Sequence, residues 1–184
     1  LAGAMTGEAL AGLTPESAVA MTETIGTEAV IAGMAGEQLG GIIGAMDAAQ
    51  LGAAFTDQAL TEVAGKMTGD DAKNMDGESA VALLDAVITV MELGEVGNKG
   101  SAADAGLVAA LLGTMDSDQV QNAITPEMAA DLAGKMEVSD VMLLDSDSAA
   151  AMVVSMGAET AVSTMDQDSL TTMIGVMDAE TIAQ

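Results

Sequence analysis

The sequence contains no cysteine, histidine, tryptophan, tyrosine or arginine, and its one aromatic residue is Phe55. Without cysteine there is no disulfide and no thiolate metal site. Without histidine or arginine, acid–base chemistry would fall to carboxylates and to Lys66, Lys73, Lys99 and Lys135. That poverty predicts a protein that is not an enzyme. Large aromatics normally fill the centre of a compact core. Their near absence predicts a thin core of short helices, with 16 methionines as adaptable filler. Long apolar runs are also missing. The best candidate, AVALLDAVITVM, is interrupted by Asp85 and falls short of the roughly 18 to 20 residues of a membrane span. No signal peptide or initiator methionine is readable. Leu1 is therefore expected to be a processed end or the first retained residue of something longer.

Positive charge is scarce as well. The 29 acids leave a net charge of −25. Such a surface excludes nucleic acid and anionic membranes as partners. It permits a basic protein partner, a cation atmosphere or saline surroundings, and slightly favours a periplasmic or extracellular location over the cytoplasm of a salt-adapted cell. Strong acidity often means disorder, but here half the residues are hydrophobic, which is too many.

What the sequence does contain is a repeat. LTPESAVAMTETI at residues 13–25 returns as ITPEMAADLAGKM at 124–136. Thr14 suits an N-cap, Pro15 the first helical position and Glu16 the positive end of a helix dipole. Taken as a twelve-residue unit, the pattern starts again at Ala35, Thr56, Asp76, Asp104, Thr125, Asp145 and Asp166. An acid or Gln holds the third place in most copies: Glu16, Glu37, Gln58, Glu78, Glu127, Asp147 and Asp168. Apolar residues such as Leu39, Ile42, Ile43 and Met46 recur at spacings of three and four, which is one helical face. Shorter units lie between, among them GTEAVIAGM, DAAQLGAAF, DSDQVQNAI and GAETAVSTM. Helices this short are unstable alone in water. Each must bury its stripe against the helices around it. The reading is an all-α chain: an α-solenoid of about eight two-helix repeats of about 21 residues. Glycines inside the units (Gly33, Gly40, Gly41, Gly44, Gly113) cost helix propensity, and the expected return is close helix approach.

One helical repeat domain is expected over residues 1–184. Its irregularity is ITVMELGEVGNKGSAA, residues 88–103, which reads as an elongated helix followed by a surface loop or docking insertion. LAGAM at the start and DAETIAQ at the end look like cut units without a polar capping repeat. They predict a segment of a longer array, or ends covered by partners.

LTPESAVAMTETI, ITPEMAADLAGKM and MDQDSLTTMIGVMDAETIA resemble the short helices of the intracellular domain of MgtE-type magnesium transporters. The armadillo-like part of the flagellar switch protein FliG is similar. The resemblance covers most of the chain and implies a right-handed superhelical stack. In the transporter family the acidic helical domain helps to sense magnesium. The chain lacks the arginines usual in both families.

Hard oxygen clusters suit calcium or magnesium. The candidates are Asp116 and Asp118, Asp145 and Asp147, and Asp166 and Asp168. GDDAKNMDGE spans residues 69–78, but its NMDG lacks the first acid and the twelfth-place Glu of an EF-hand loop. The paired acids also stand where helices need caps, so nonspecific Mg2+ or Ca2+ association is the expectation, with no cofactor and no catalytic residue. Met46, Met67, Met136, Met156 and Met177 share one unit place, which marks core rather than a copper or haem site. Two functions remain. One is a structural or interaction scaffold that docks on, or forms part of, a larger protein assembly. The other is a divalent-cation-responsive module of a transporter-like system.

Overall fold

The computed structural model describes residues 5–73, 75–90, 96–98, 101 and 103–177. These residues are helical, with fifteen α-helices and no strand among them. In chain order they are α1 (Gly7–Ala11), α2 (Pro15–Ile25), α3 (Thr27–Gly33), α4 (Gly36–Gly44) and α5 (Ala48–Ala54). Then come α6 (Asp57–Ala64), α7 (Gly69–Ala72), α8 (Gly77–Val90), α9 (Ala105–Leu112) and α10 (Ser117–Ala123). The last are α11 (Pro126–Ala133), α12 (Val138–Val141), α13 (Ser146–Met156), α14 (Ala158–Thr164) and α15 (Gln167–Val176). None of the described helices is long and apolar enough to cross a membrane.

The caps read from sequence start these helices. Asp47 Oδ1 accepts the Gln50 N–H at 2.8 Å, Asp104 Oδ1 that of Leu107 at 2.9 Å and Asp116 Oδ1 that of Gln119 at 2.8 Å. Thr14, Thr56 and Thr125 do the same for α2, α6 and α11 through Oγ1. Ala35 has no acceptor of its own. Gln38 compensates by turning its Oε1 back onto the Ala35 N–H at 3.1 Å. These bonds satisfy donors that a helix start leaves orphaned. Between α2 and α3, and again between α13 and α14, a single glycine turns the chain. Gly26 has φ of 88° and Gly157 has φ of 82°, a region that favours glycine.

Packing follows a different count from the sequence unit. Helices pack against their third neighbours. One column runs α1, α4, α7, and resumes as α9, α12, α15. A second runs α2, α5, α8, then α10, α13. A third holds α3, α6 and the long α8, and α11 packs separately on α14. The count shortens by one at α8, whose 14 residues take up the span before the insertion. Long and short helices alternate along the chain but recur in columns by three, so every column mixes both kinds. One fixed shift carries Asp47, Thr56, Thr68 and Asp76 onto Asp116, Thr125, Glu137 and Asp145, and with them α5 to α8 onto α10 to α13.

A single apolar cluster runs through the stack from Leu10 to Met173. It is built of Leu, Ile, Val, Ala and Met, with Phe55 as its one aromatic. Met46, Met67, Met136 and Met156 are buried in it as the unit place predicted, while Met177 is half-buried. Some glycines carry the close approach and others do not. A methyl group on Gly40 or Gly41 would lie under 3.0 Å from a backbone oxygen of α7 or α1, and one on Gly36 or Gly113 equally close to the carbonyl oxygen of Lys66 or Leu143, which follow α6 and α12. Gly33 meets nothing within 4 Å, so the close-approach reading does not extend to it. Lys99, and residues 91–95, 100 and 102 of the insertion, lie outside the described residues, as do the first four residues of LAGAM and all of DAETIAQ at 178–184.

Candidate interaction surface

Side chains stitch successive members of a column together. Ser79, Ser148 and Ser169 each stand three residues after a capping Asp and are buried. Ser79 Oγ donates to the Met46 carbonyl at 2.7 Å. Ser148 Oγ donates to the Leu112 carbonyl at 2.7 Å and the Met115 carbonyl at 3.2 Å. Ser169 Oγ donates to the Met136 carbonyl at 3.2 Å. In each case the acceptor Met directly precedes the start of a helix three back, so the hydroxyl ties one layer to the next. The signal was in the sequence as DGES, DSDS and DQDS, and periodicity of apolar residues alone does not find it.

Two of the lysines are used in the same way. Lys66 Nζ donates to the Ile31 carbonyl at the end of α3. Lys135 Nζ donates to the Val96 carbonyl at 2.8 Å and to Asp131 Oδ2 at 2.7 Å. Both lie within a shared AGKM segment, residues 64–67 and 133–136, and both complete carbonyls of earlier chain. Lys73 pairs with Asp70 at 2.6 Å, which holds the Asp70 carboxyl below its ordinary value.

The six candidate metal ligands divide into three caps and three first-turn acids. Asp116, Asp145 and Asp166 cap α10, α13 and α15. Asp118, Asp147 and Asp168 occupy the first turns of the same helices. Ser117 Oγ donates to the Asp147 carbonyl at 3.4 Å, which sets the first pair beside the second. Among the described residues no group of three or more acids converges as a metal would require. Asp166 is the most engaged. It accepts the N–H groups of Ser169 and Asp168 at 3.0 and 2.9 Å and the Ser169 hydroxyl at 2.7 Å. Those bonds, led by the Ser169 N–H, hold its carboxyl below the ordinary aspartate value.

Open grooves run between helix starts of the second column. One, of about 640 Å³, is lined by Leu13, Met46, Asp47, Asp76, Glu78 and Asp116 among others. An adjoining one of about 430 Å³ is lined by Ala48, Val81 and Ala123 together with Glu78, Asp85, Asp116 and Asp118. Where the insertion returns to the stack, Gly97 (φ 80°) donates its N–H to the Ala103 carbonyl at 2.7 Å. A cavity of about 300 Å³ lies there, lined by Asp104, Lys135, Glu137 and Asp140.

The last two described helices, α14 and α15, differ from their counterparts nearer the start of the chain. A second fixed shift carries α3 and α4 onto α14 and α15. It takes Ile31 onto Val162 and Ile43 onto Ile174. Ile31 is 6% exposed and Val162 66%; Ile43 is 0% exposed and Ile174 49%. Leu39 and Met46 are buried, while Leu170 and Met177, their counterparts, are only half-buried. In the first layer Ser17 is the counterpart of Ser148, but it is exposed and its Oγ lies 3.0 Å from that of Thr14, its own cap.

No family model matches this chain, and neither a curated protein nor a solved structure gives a match.

Proposed function

We propose that this chain is a non-enzymatic interaction scaffold: an acidic α-solenoid of about eight two-helix sequence repeats, wound as a right-handed superhelix, that docks on or forms part of a larger protein assembly. The observation that carries this reading is the packing of helix upon third neighbour along the described chain. Such a ladder puts the apolar residues into a narrow core and spreads the rest over a long surface. The poverty of catalytic residue types supports the same reading. With a charge of −25, the partner it favours is a protein with a basic face, not nucleic acid. The test is affinity purification from native cells at low salt, then at high salt, with mass spectrometry of what co-purifies. A stoichiometric protein that leaves at high salt supports the scaffold. Recovery of the chain alone at both salts speaks against it.

A second reading has one feature in its favour, the adjacency of Asp116 and Asp118 to Asp145 and Asp147 through the Ser117 bond. It makes the chain a divalent-cation-responsive module, as the resemblance to the transporter domain implies. Calorimetric titration with Mg2+ and Ca2+ at constant ionic strength decides it. Saturable binding of one ion with defined stoichiometry supports the module, and a purely ionic-strength response supports diffuse condensation on the acidic surface.

A further inference from the structure

We propose that the groove between α8 and α10 takes a lysine- or arginine-rich segment of another protein, with apolar residues set between its cations. The inference rests on the scaffold reading above and names the place on it where a basic partner docks. The two acid-lined grooves between helix starts meet there, since Glu78, Asp116 and Gln119 line both. The lining of the smaller one runs from Ala48 to Ala123, with α1 to α4 before it in the chain and α11 to α15 after it. It is a feature of the middle of the stack.

The lining is of two kinds. Ala48, Val81 and Ala123 are half-buried and leave part of their apolar surface open. Leu13 and Met46 continue that lining into the larger groove. With them stand Asp47, Asp76, Glu78, Asp85, Asp116 and Asp118, all exposed. Asp47, Asp76 and Asp116 are partly committed to helix starts, where they accept the N–H groups of Gln50, Ser79 and Gln119 at 2.8, 2.9 and 2.8 Å. Glu78, Asp85 and Asp118 take no part in a cap. Glu78, Val81 and Asp85 follow one another on α8 at spacings of three and four, so one helix face presents acid, apolar residue, acid. The two acids are two turns apart, about 10 Å along the axis. Asp118 adds a third charge from the first turn of α10.

The cations that match these acids come from outside. Among the described residues no lysine lines either groove. Lys66 and Lys135 donate to the carbonyls of Ile31 and Val96, and Lys73 pairs with Asp70. A segment with the composition of this chain, four lysines to 29 acids, is repelled by the groove rather than held in it. A basic segment satisfies both parts of the lining. Its ammonium or guanidinium groups pair with the carboxylates, and its apolar side chains cover Val81 and the alanines. The acids stand on helices already fixed by packing, so binding costs little further ordering on this side.

Fluorescence anisotropy with the 184-residue chain and a short labelled peptide of alternating lysine and leucine tests this at about 0.15 M salt, where the Debye length is about 8 Å. Saturable one-to-one binding is expected. The triple variant Glu78→Gln, Asp85→Asn, Asp118→Asn is expected to weaken it at least about tenfold. The control is Glu28→Gln, Glu62→Gln, Glu127→Gln: two first-turn acids and one from within a helix, all exposed and none lining either groove. Each triple removes the same charge, so attraction to the molecule as a whole falls equally, and the control is expected to change affinity by less than about twofold. A peptide of alternating lysine and serine has the same charge but no apolar cover for Val81, and is expected to bind at least about threefold more weakly. Should the groove triple lose its helical circular dichroism, Asp85→Asn alone takes its place, with a loss of about threefold expected. Equal losses in the two triples overturn the proposal, as does equal affinity for the two peptides or an absence of saturable binding. A partner that still co-purifies from native cells in any of those cases leaves the scaffold standing, and a chain recovered alone there counts against the scaffold whatever the peptide does.

Discussion

Two glycine-to-alanine changes, chemically identical, are expected to move stability in opposite directions. Gly40 lies inside α4 where α7 crosses it. A Cβ placed there would stand 2.5 Å from the Asp71 carbonyl oxygen and 3.2 Å from its carbon, against 3.4 Å or more for ordinary contact. The obstacle is backbone, so no rotamer change relieves it, and α7 must retreat by close to 1 Å. Overpacking of this kind costs about 1–3 kcal/mol. Alanine returns about 1 kcal/mol of helix propensity, which leaves Gly40→Ala destabilised by up to about 2 kcal/mol. Gly52 sits in α5, exposed, with nothing within 4 Å of an added methyl group. There the propensity gain is unopposed and Gly52→Ala gains about 0.5–1 kcal/mol. For a chain of this length 1 kcal/mol shifts Tm by about 2–4 °C. Thermal unfolding followed by far-ultraviolet circular dichroism should place the two variants on either side of the wild type. Amide exchange should quicken around Ala72 in Gly40→Ala alone. If both variants rise together, the close approach of α4 and α7 is wrong and the glycines are incidental.

The buried serines and the capping Asp166 give sharper local tests. Ser148→Ala strips the donor from the Leu112 and Met115 carbonyls and should cost about 1–3 kcal/mol. Ser17→Ala, at the exposed counterpart, should be close to neutral in monomeric chain; equal losses in the two would refute the layer-tying role. Asp166 is held below its ordinary value by the Ser169 and Asp168 bonds. A depressed carboxylate contributes stability above the unfolded value, and the contribution is lost as pH falls through the folded one. Carbon-detected NMR titration should find Asp166 titrating below the ordinary aspartate value, and α15 should fray as Asp166 takes up its proton. A midpoint for Asp166 at or above that of a simple aspartate would contradict the capping geometry.

Helix starts were readable because a cap is a local event. Asp47, Thr56, Asp116 and Thr125 each need only the N–H groups of the next turn. The apolar faces were readable for the same reason, since Leu39, Ile42, Ile43 and Met46 fix a stripe by spacing alone. What covers a stripe is not local. Sequence presents long and short units in alternation and so displays a period of two, while packing closes on the third neighbour. The two counts agree only every six helices, which a search for the shortest period passes over. The seryl bonds to Met46, Met115 and Met136 belong to that longer count, as do the lysine bonds to Ile31 and Val96. The six candidate aspartates show the converse. DSD and DQD look like oxygen clusters in one dimension, and three of the six turn out to be committed to helix starts.

The proposed scaffold role requires that the chain work as part of an assembly. Cross-linking with mass spectrometry on native material addresses that directly, using a carboxylate-reactive reagent suited to the 29 acids, before and after a salt wash. Reproducible links from this chain to a stoichiometric partner are expected, lost or thinned by the wash. A chain recovered free and monomeric, linked to no other protein before or after washing, would mean that it does not act as a scaffold.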